Sequence, residues 1–296
     1  MIGLAALIKR NTKLFFKDKG LFFTSLITPL ILLVLYATFL GNVYYDSFAM
    51  SFPEGMEVPE KLVSAAVGGQ LISSLLAVCC VTVAFCSNML MVQDKVNGAR
   101  KDLTITPVKN TTMALGYYIA TLISTLLICF LAAGAGFLYL GKVGWYLSGK
   151  DVMLILFDVF LLVMFGVALS SIINFFMSTQ GQISAVGSIV SSMYGFICGA
   201  YMPISQFSEG LQKALSFLPG TYATSLLRNH ALRGVFAEMK ADGYPKEIIN
   251  GLRDVIDCNV YFIDNKVELS TMYVILSGSV VVLVGIYVVM NMMKRK

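Results

Sequence analysis

Six long apolar runs constrain the fold of this chain more than any other feature of its sequence. Each run is long enough to cross about 30 Å of hydrocarbon as an α-helix. Hydrophobic residues make up 57% of the 296 residues and charged residues 13%, about half the charged share of soluble domains. The sequence therefore predicts an all-α integral membrane protein with six spans, at Leu21–Val43, Ser64–Val92, Met113–Leu140, Val152–Met177, Gln182–Tyr201 and Leu269–Met293.

The charges between these runs predict how the chain lies in the membrane. Basic residues concentrate at both ends and between the second and third spans, whereas the loop Tyr44–Val63 carries Asp46, Glu54, Glu57 and Glu60 against Lys61 alone. Because basic loops stay in the cytoplasm, both termini are expected there. The basic residues on that side are Lys9, Arg10, Lys13, Lys17, Lys19, Lys95, Arg100, Lys101, Lys109, Lys294, Arg295 and Lys296.

Residues 93–112 form the polar, basic connection between the second and third spans. Gly98 and Pro107 punctuate it, and the stretch between them predicts a short helix over Ala99–Thr106, since the residue before a proline disfavours the helical conformation. A short helix outside the bilayer could serve as a binding surface for a cytoplasmic partner. The alternative is a solvated connector whose charges only fix the topology.

Two more segments lie outside the predicted spans. Met1–Gly20 alternates apolar and basic residues, which predicts a helix lying in the membrane interface, or else a basic flank without a helix. Met202–Glu268 is the largest outer segment, and its first part predicts two short helices that are hinged at Pro219 and dip into the outer leaflet. Its later part, Phe236–Glu268, predicts a charged helical excursion in water.

The sequence shows no catalytic, nucleotide-binding or metal-binding motif. Gly136–Lys142 fits the pattern GxxxxGK, but Val143 replaces the required Ser or Thr and the segment is the apolar end of a span. Most of the six cysteines lie in apolar runs, and whether Cys198 pairs with Cys258 stays open. His230, the single histidine, is expected to be structural. We expect no enzymatic activity and no metal or cofactor on this chain.

A few polar residues lie inside the spans. Asp158 is the one acidic residue there, and such residues usually face a cavity or partner. Snorkelling toward the surface, or pairing with Lys150 or Lys142, is the alternative. Asn88, and further along the chain Asn174, are expected either to line a path or to hydrogen-bond between helices.

The sequence also contains three patterned segments. The first is the basic N-terminal helix followed by a span with Pro29; the second is a loop with Asp94, Gly98, Leu103 and Pro107 in the order acidic-x-x-x-Gly…Leu-x-x-x-Pro. The third is Gly199-Ala-Tyr-Met-Pro203…Leu218-Pro219-x-Thr221-Tyr222…Leu227-Arg228. From Ile8 to the last span, the chain resembles the membrane subunits of ABC-2 type transporters, the small bacterial drug- and antibiotic-exporter permeases.

This resemblance implies a single ABC-2 type transmembrane domain over residues 1–296. It implies the permease subunit of an ATP-driven efflux system, which moves a hydrophobic or amphipathic substrate outward: a drug, a lipid-like molecule or a peptide. ATP and Mg would bind two copies of a separate cytoplasmic ABC ATPase. A second permease subunit, identical or related, would face this one mainly through spans two and five. The expected location is the plasma (inner) membrane of a bacterium, in contact with lipid and without nucleic acid.

The resemblance also implies roles for individual residues. Coupling to the ATPase would involve the loop residues Asp94, Gly98, Arg100, Lys101, Leu103 and Pro107. Re-entrant helices at an outer gate would involve Gly199, Pro203, Pro219, Thr221, Tyr222 and Arg228. Candidates for the translocation path are Asn88, Met89, Met193, Tyr194, Phe196 and Asp158. Asn97 and Ala99 depart from the acidic and Thr residues of many members, which leaves the detail of the ATPase contact open.

Two other functions stay open on the sequence. The same fold would serve a sensing or immunity permease that binds an antimicrobial peptide at Met202–Glu268. A secondary transporter or channel would need a membrane-embedded charged relay or inverted repeats, and only Asp158 points that way.

Overall fold

A computed structural model describes residues 2–35, 38–39, 41–49, 52, 58–263 and 265–293. Within these ranges the chain is helical nearly throughout, which confirms the predicted all-α class. The helices are α1 Ile2–Lys17, α2 Lys19–Leu35, α3 Gly41–Ala49, α4 Glu60–Val96, α5 Ala99–Ile105, α6 Asn110–Val143, α7 Gly149–Phe176, α8 Gln180–Ile197, α9 Glu209–Leu215, α10 Pro219–Ala241, α11 Lys246–Val255 and α12 Leu269–Met293. A small antiparallel hairpin pairs β1, Tyr261–Phe262, with β2, Asn265–Lys266.

Helix α4 lies at the centre of the molecule. Its most apolar stretch is 94% buried, and α2, α6, α7, α8 and α10 pack around it. Small residues allow the close approach: a Cβ on Gly69 would lie 2.7 Å from Leu232, and one on Gly166 would lie 3.0 Å from the Cys80 carbonyl oxygen. Such small residues are typical of helix packing inside membranes.

Within the described ranges, four helices are long and apolar enough to cross a membrane: α4, α6, α7 and α12. The pair α1 and α2 meets the same criterion as one broken span, bent by 73°. The predicted first and fifth spans correspond to α2 and α8, whose 17 and 18 residues reach only about 26 Å. Residues 36, 37 and 40 of the predicted Leu21–Val43 lie outside the described ranges, as do Glu54, Glu57 and Lys294–Lys296. The count of six spans stays a prediction.

The predicted N-terminal helix is present as α1. Leu7, Asn11 and Phe15 form its buried stripe, while Lys9 and Lys13 on the same helix are exposed. The stripe packs against α6. The hydrophobic partner of α1 is thus, in part, protein, and its contact with lipid stays a prediction.

The segment Met202–Glu268 differs from its prediction in the length of its second helix. Pro219 does begin the second helix, at a position that needs no backbone N–H, but α10 has 23 residues and is long rather than short. It packs against α4, α7 and α12. The sequence of α10 mixes polar and apolar residues, which predicts a short helix near the surface. The helix is longer because distant segments of the chain supply partners for its polar side chains.

The stretch Phe236–Glu268 is also more integrated than predicted. Helix α11 buries Ile249 and Leu252, and the turn after it buries Asp257. The description of this stretch as a charged excursion in water was therefore wrong for its inner face. All six cysteines are free and buried, so Cys198 and Cys258 do not pair.

Candidate functional site

A groove of about 980 Å³ runs along one side of the bundle. Helices α2 and α8 form its walls and α4 forms its floor. Asp18, Gln93 and Gln180 line the end nearest α5, while Leu35 and Tyr201 line the opposite end. The groove therefore follows the full length of α8.

The two walls of the groove differ in polarity. The α2 wall is apolar, with Leu21, Ile27, Ile31 and Leu32, whereas the α8 wall carries Ser184, Ser188, Ser191 and Ser192. The Ser188 hydroxyl donates to the Ser184 carbonyl at 2.9 Å, and the Ser192 hydroxyl donates to the Ser188 carbonyl at 2.6 Å. Since these two hydroxyls bond their own helix, they make the wall only weakly polar. Such a surface suits an amphipathic molecule.

At the α5 end of the bundle, three helices meet at one buried carboxylate. The Arg10 guanidinium of α1 donates to both carboxylate oxygens of Asp94, at 2.6 and 3.1 Å, and the Tyr117 hydroxyl of α6 donates to it at 2.5 Å. The hydrogen bond to Asp94 raises the pKa of Arg10. A bidentate, charge-assisted pair is geometrically specific, so this cluster fixes α1, α4 and α6 relative to one another.

Lys95, the next residue of α4, holds a fourth helix. Its ammonium donates to the carbonyls of Asn174, Phe175 and Met177, each at 2.8 Å. These carbonyls lie at the C-terminus of α7, where a cation is favourable. The C-terminal end of α4 is thus tied to α1, α6 and α7 immediately before α5 begins.

Helix α5 confirms the predicted short helix in this loop. Gly98 has φ of +81°, a conformation that favours glycine and turns the chain between α4 and α5. Thr106 is extended before Pro107, as expected. Ile105 is 83% exposed, and Val96 beside it is 47% exposed, so this end of the molecule presents apolar side chains on a basic surface.

At the other end, a fully buried arginine joins four segments. The Arg228 guanidinium of α10 donates to Asp257 at 3.2 Å, to the Gly199 carbonyl at 2.5 Å and to the Ser74 hydroxyl of α4 at 3.2 Å. Asp257 also accepts from the backbone N–H groups of Ile204 and Ser205. Burial raises the pKa of Asp257, and the nearby Arg228 opposes that rise.

The pattern Leu-Pro-x-Thr-Tyr closes the turn between α9 and α10. The Thr221 hydroxyl donates to the Leu215 carbonyl at 2.9 Å, and the Tyr222 hydroxyl donates to the Ser216 carbonyl at 2.5 Å. Both bonds reach back six residues to the end of α9. They fix the angle between the two helices, with Pro219 at the corner.

A family model for ABC-2 type transporters matches residues 3–231. The chain belongs to the ABC-2 type transporter family. It is therefore a multi-pass membrane protein and the permease subunit of an ABC transporter, a family whose permeases are transport components that generally work with an ATPase subunit. The matched range contains both groove walls, α5 and most of α10. A search of individually curated proteins gives no significant match.

The candidate path residues of this ABC-2 permease separate into two groups. Met89 and Phe196 line the groove, and Met193 lies exposed on α8. Tyr194 is buried, and so is Asn88, whose amide donates to the hydroxyls of Ser170 and Ser171 at 3.0 and 2.9 Å. For Asn88 the structure supports the interpretation as a hydrogen bond between helices.

Asp158 lies away from the groove, between α7, α10 and α12. It is 1% exposed, its carboxylate lies 2.5 Å from His230 Nδ1, and the Tyr273 hydroxyl donates to it at 2.6 Å. Asp158 thus faces a partner, as such residues usually do, and the alternative of snorkelling or pairing with Lys150 or Lys142 is wrong because α10 brings in a closer group. His230 and Asp158 lie far apart in the sequence, so no local pattern predicts that they meet.

The predicted contact of a second permease subunit with spans two and five stays a prediction. Helix α4, the predicted second span, is interior to this subunit and has little surface to offer. Helix α8, the predicted fifth span, buries only Ile183, Tyr194 and Gly195 and exposes Ile189, Met193 and Phe196. The exposed face of this side therefore belongs to α8 and α2.

Proposed function

We propose that this permease belongs to an ATP-driven exporter in a bacterial plasma membrane. Both termini lie in the cytoplasm, and two ABC ATPase copies bind the α5 side and carry ATP and Mg. A second permease subunit covers the groove between α2 and α8. A hydrophobic or amphipathic substrate, such as a drug, a lipid-like molecule or a peptide, moves outward along it.

The observation that carries this proposal is the continuity of α4 between the groove and α5. Met89 and Gln93 of α4 line the groove, Asp94 and Lys95 anchor α4 to three other helices, and α5 follows at once. An ATPase can shift the pore only by binding its two states differently. Force applied at α5 would move the groove floor and the anchored helices as one body.

The groove supports the proposed substrate class. It combines an apolar wall with a row of four serines, of which Ser188 and Ser192 bond their own helix. Met89 adds a flexible, polarizable side chain to the floor, which accepts varied shapes. The outer gate is proposed at the α9–α10 corner, where Thr221, Tyr222 and Arg228 set the geometry.

The test substitutes the most exposed apolar residue of α5. Ile105→Asp should leave folding unchanged, since the side chain is 83% exposed, but should remove the ATPase from the purified complex. The matched control is Ile263→Asp, because Ile263 is 56% exposed in the outer hairpin. The tagged chain is purified from native membranes, the bound ATPase is quantified and ATP hydrolysis is measured in lipid.

Retention of the ATPase by Ile105→Asp at the level of Ile263→Asp would refute the coupling role of α5. A wild-type chain that purifies without any ATPase would instead favour a channel or secondary transporter. Once the complex is in hand, stimulation of ATP hydrolysis together with movement of a candidate substrate into sealed vesicles separates export from sensing or immunity.

A further inference from the structure

A second cavity lies on the outer side, between α10 and α11. It measures about 420 Å³, within the range of about 300–1,000 Å³ for small-molecule sites. From α10 it is lined by Asn229, Arg233 and Lys240, which recur at helical spacing on one face, and from α11 by Lys246 and Arg253. Two helix faces therefore converge on one space, away from the groove.

The charged side chains that line this cavity are all basic within the described ranges. Residues 202–268 carry seven Lys or Arg and eight Asp or Glu, so the segment as a whole is close to neutral. The cavity lining nevertheless includes four basic side chains, Arg233, Lys240, Lys246 and Arg253, and among the described residues no carboxylate. The segment has nearly equal numbers of basic and acidic residues, but the fold brings four of the basic residues together on one concave surface.

Only one of these four charges is neutralised by an ion pair in the described part of the chain. Arg233 Nε lies 2.5 Å from Asp151. No carboxylate of the described residues lies within salt-bridge distance of Lys240, Lys246 or Arg253. Like charges that converge without a counter-charge repel one another, and an anion in the cavity would relieve that repulsion.

Arg253 is held in a fixed position at the wall of the cavity. Its Nη2 donates to the Asn229 side-chain oxygen at 2.8 Å, and its guanidinium lies 5.5 Å from the centre of the Phe236 ring. Asn229 is fixed in turn, because its amide donates to the carbonyls of Ser225 and Cys258. The buried Nε of Arg253 has no partner among the described residues. A planar guanidinium held in this way favours a phosphate-type anion, which its fork can bind through two oxygens.

We propose that the cavity between α10 and α11 binds a phosphate-type anion. Leu269, the first residue of α12, also lines it, so the cavity opens where a membrane-spanning helix begins. The anion can therefore come from the headgroup of an outer-leaflet lipid or from a soluble phosphate. This binding goes beyond transport and would occur in the purified permease without its ATPase.

The experiment compares the two sources on the intact chain. In phosphatidylcholine nanodiscs, binding of inorganic phosphate is measured by equilibrium dialysis at constant ionic strength. In nanodiscs that also contain phosphatidylglycerol, bound lipid is counted by native mass spectrometry. The main variant is Lys240→Gln/Lys246→Gln, whose exposed side chains have no partner in the described ranges. The charge-matched control is Lys61→Gln/Lys213→Gln, two exposed lysines outside the cavity lining.

We expect the wild type and the control to retain one of the two probes and Lys240→Gln/Lys246→Gln to bind it at least about tenfold more weakly. Arg253→Lys should also weaken binding, since a lysine keeps the charge but loses the fork. Retention of phosphate identifies a soluble ligand, and retention of phosphatidylglycerol alone identifies a lipid headgroup. The proposal fails if the wild type binds neither probe, or if both double variants weaken binding equally.

Discussion

The replacement Arg228→Met tests whether one buried ion pair holds α10 against α4 and the turn at Asp257. The side chain is fully buried and bonds Asp257, Gly199 and Ser74. Removing one partner of a buried pair costs about 3–5 kcal/mol, because the other charge stays in the interior without compensation. Two backbone N–H groups still bond Asp257, so we expect a loss of about 3 kcal/mol at neutral pH.

The pH dependence identifies the cause of this loss. Burial already raises the pKa of Asp257, with Arg228 opposing the rise, so Arg228→Met should raise that pKa further. A carboxyl group whose pKa is raised on folding contributes stability at low pH and loses that contribution as the pH rises through the folded pKa. The variant should therefore approach wild-type stability as the pH is lowered from 7. Adding Asp257→Asn should restore much of the stability at pH 7, since no buried charge remains.

The buried cysteines provide the assay. All six thiols are free and buried, so a thiol-reactive dye reports thermal unfolding of the purified protein in lipid nanodiscs. The unfolding midpoint is compared for wild type, Arg228→Met, Asp257→Asn and the double variant, between pH 5 and 8. Equal midpoints for Arg228→Met and Arg228→Met/Asp257→Asn at pH 7 would refute the argument, as would a loss of stability that does not change with pH.

Two further substitutions test the packing in the same assay. Gly234→Ala places a Cβ against the Tyr146 carbonyl. Because a backbone group cannot rotate away as a side chain can, the free energy of unfolding should fall by about 3 kcal/mol. Gly210→Ala, with open space around it, is the control, and equal unfolding midpoints for the two variants would disprove this close approach. Asn88→Leu leaves the buried hydroxyls of Ser170 and Ser171 without their donor and should cost about 1–3 kcal/mol. Asn42→Leu, at an exposed position, should be nearly neutral, and a similar loss in both would show that the bonds of Asn88 contribute little.

The sequence predicted the helices whose limits are set by hydrophobicity. The predicted Met113–Leu140 and Leu269–Met293 correspond to Asn110–Val143 and to the identical range Leu269–Met293. The short helix before Pro107 was predicted within one residue. In each case a local signal decides the structure: the end of an apolar run, or a proline that the preceding residue must accommodate.

The contacts of α10 could not be predicted in this way. Arg228, Asn229 and His230 make the helix look half solvated, but each is buried against a partner supplied by a distant segment. Asp158 and His230 are 72 residues apart, and no local pattern records such a pairing. The same holds for the inner cluster, where Asp94 was expected in a coupling loop but its partners Arg10 and Tyr117 were not recognised.

The length of α4 means that a small change in its tilt moves one of its ends over a large distance. Its 37 residues extend over about 55 Å, well beyond the hydrocarbon core, and its buried flanks prevent rotation about its own axis without unpacking its neighbours. Tilting is possible when the helices packed around α4 move with it. A tilt of only about 5° about one end would carry the other end through about 5 Å, close to the rise of one helical turn. A small step at an ATPase bound to α5 would thus be enlarged on the far side of the membrane by geometry alone.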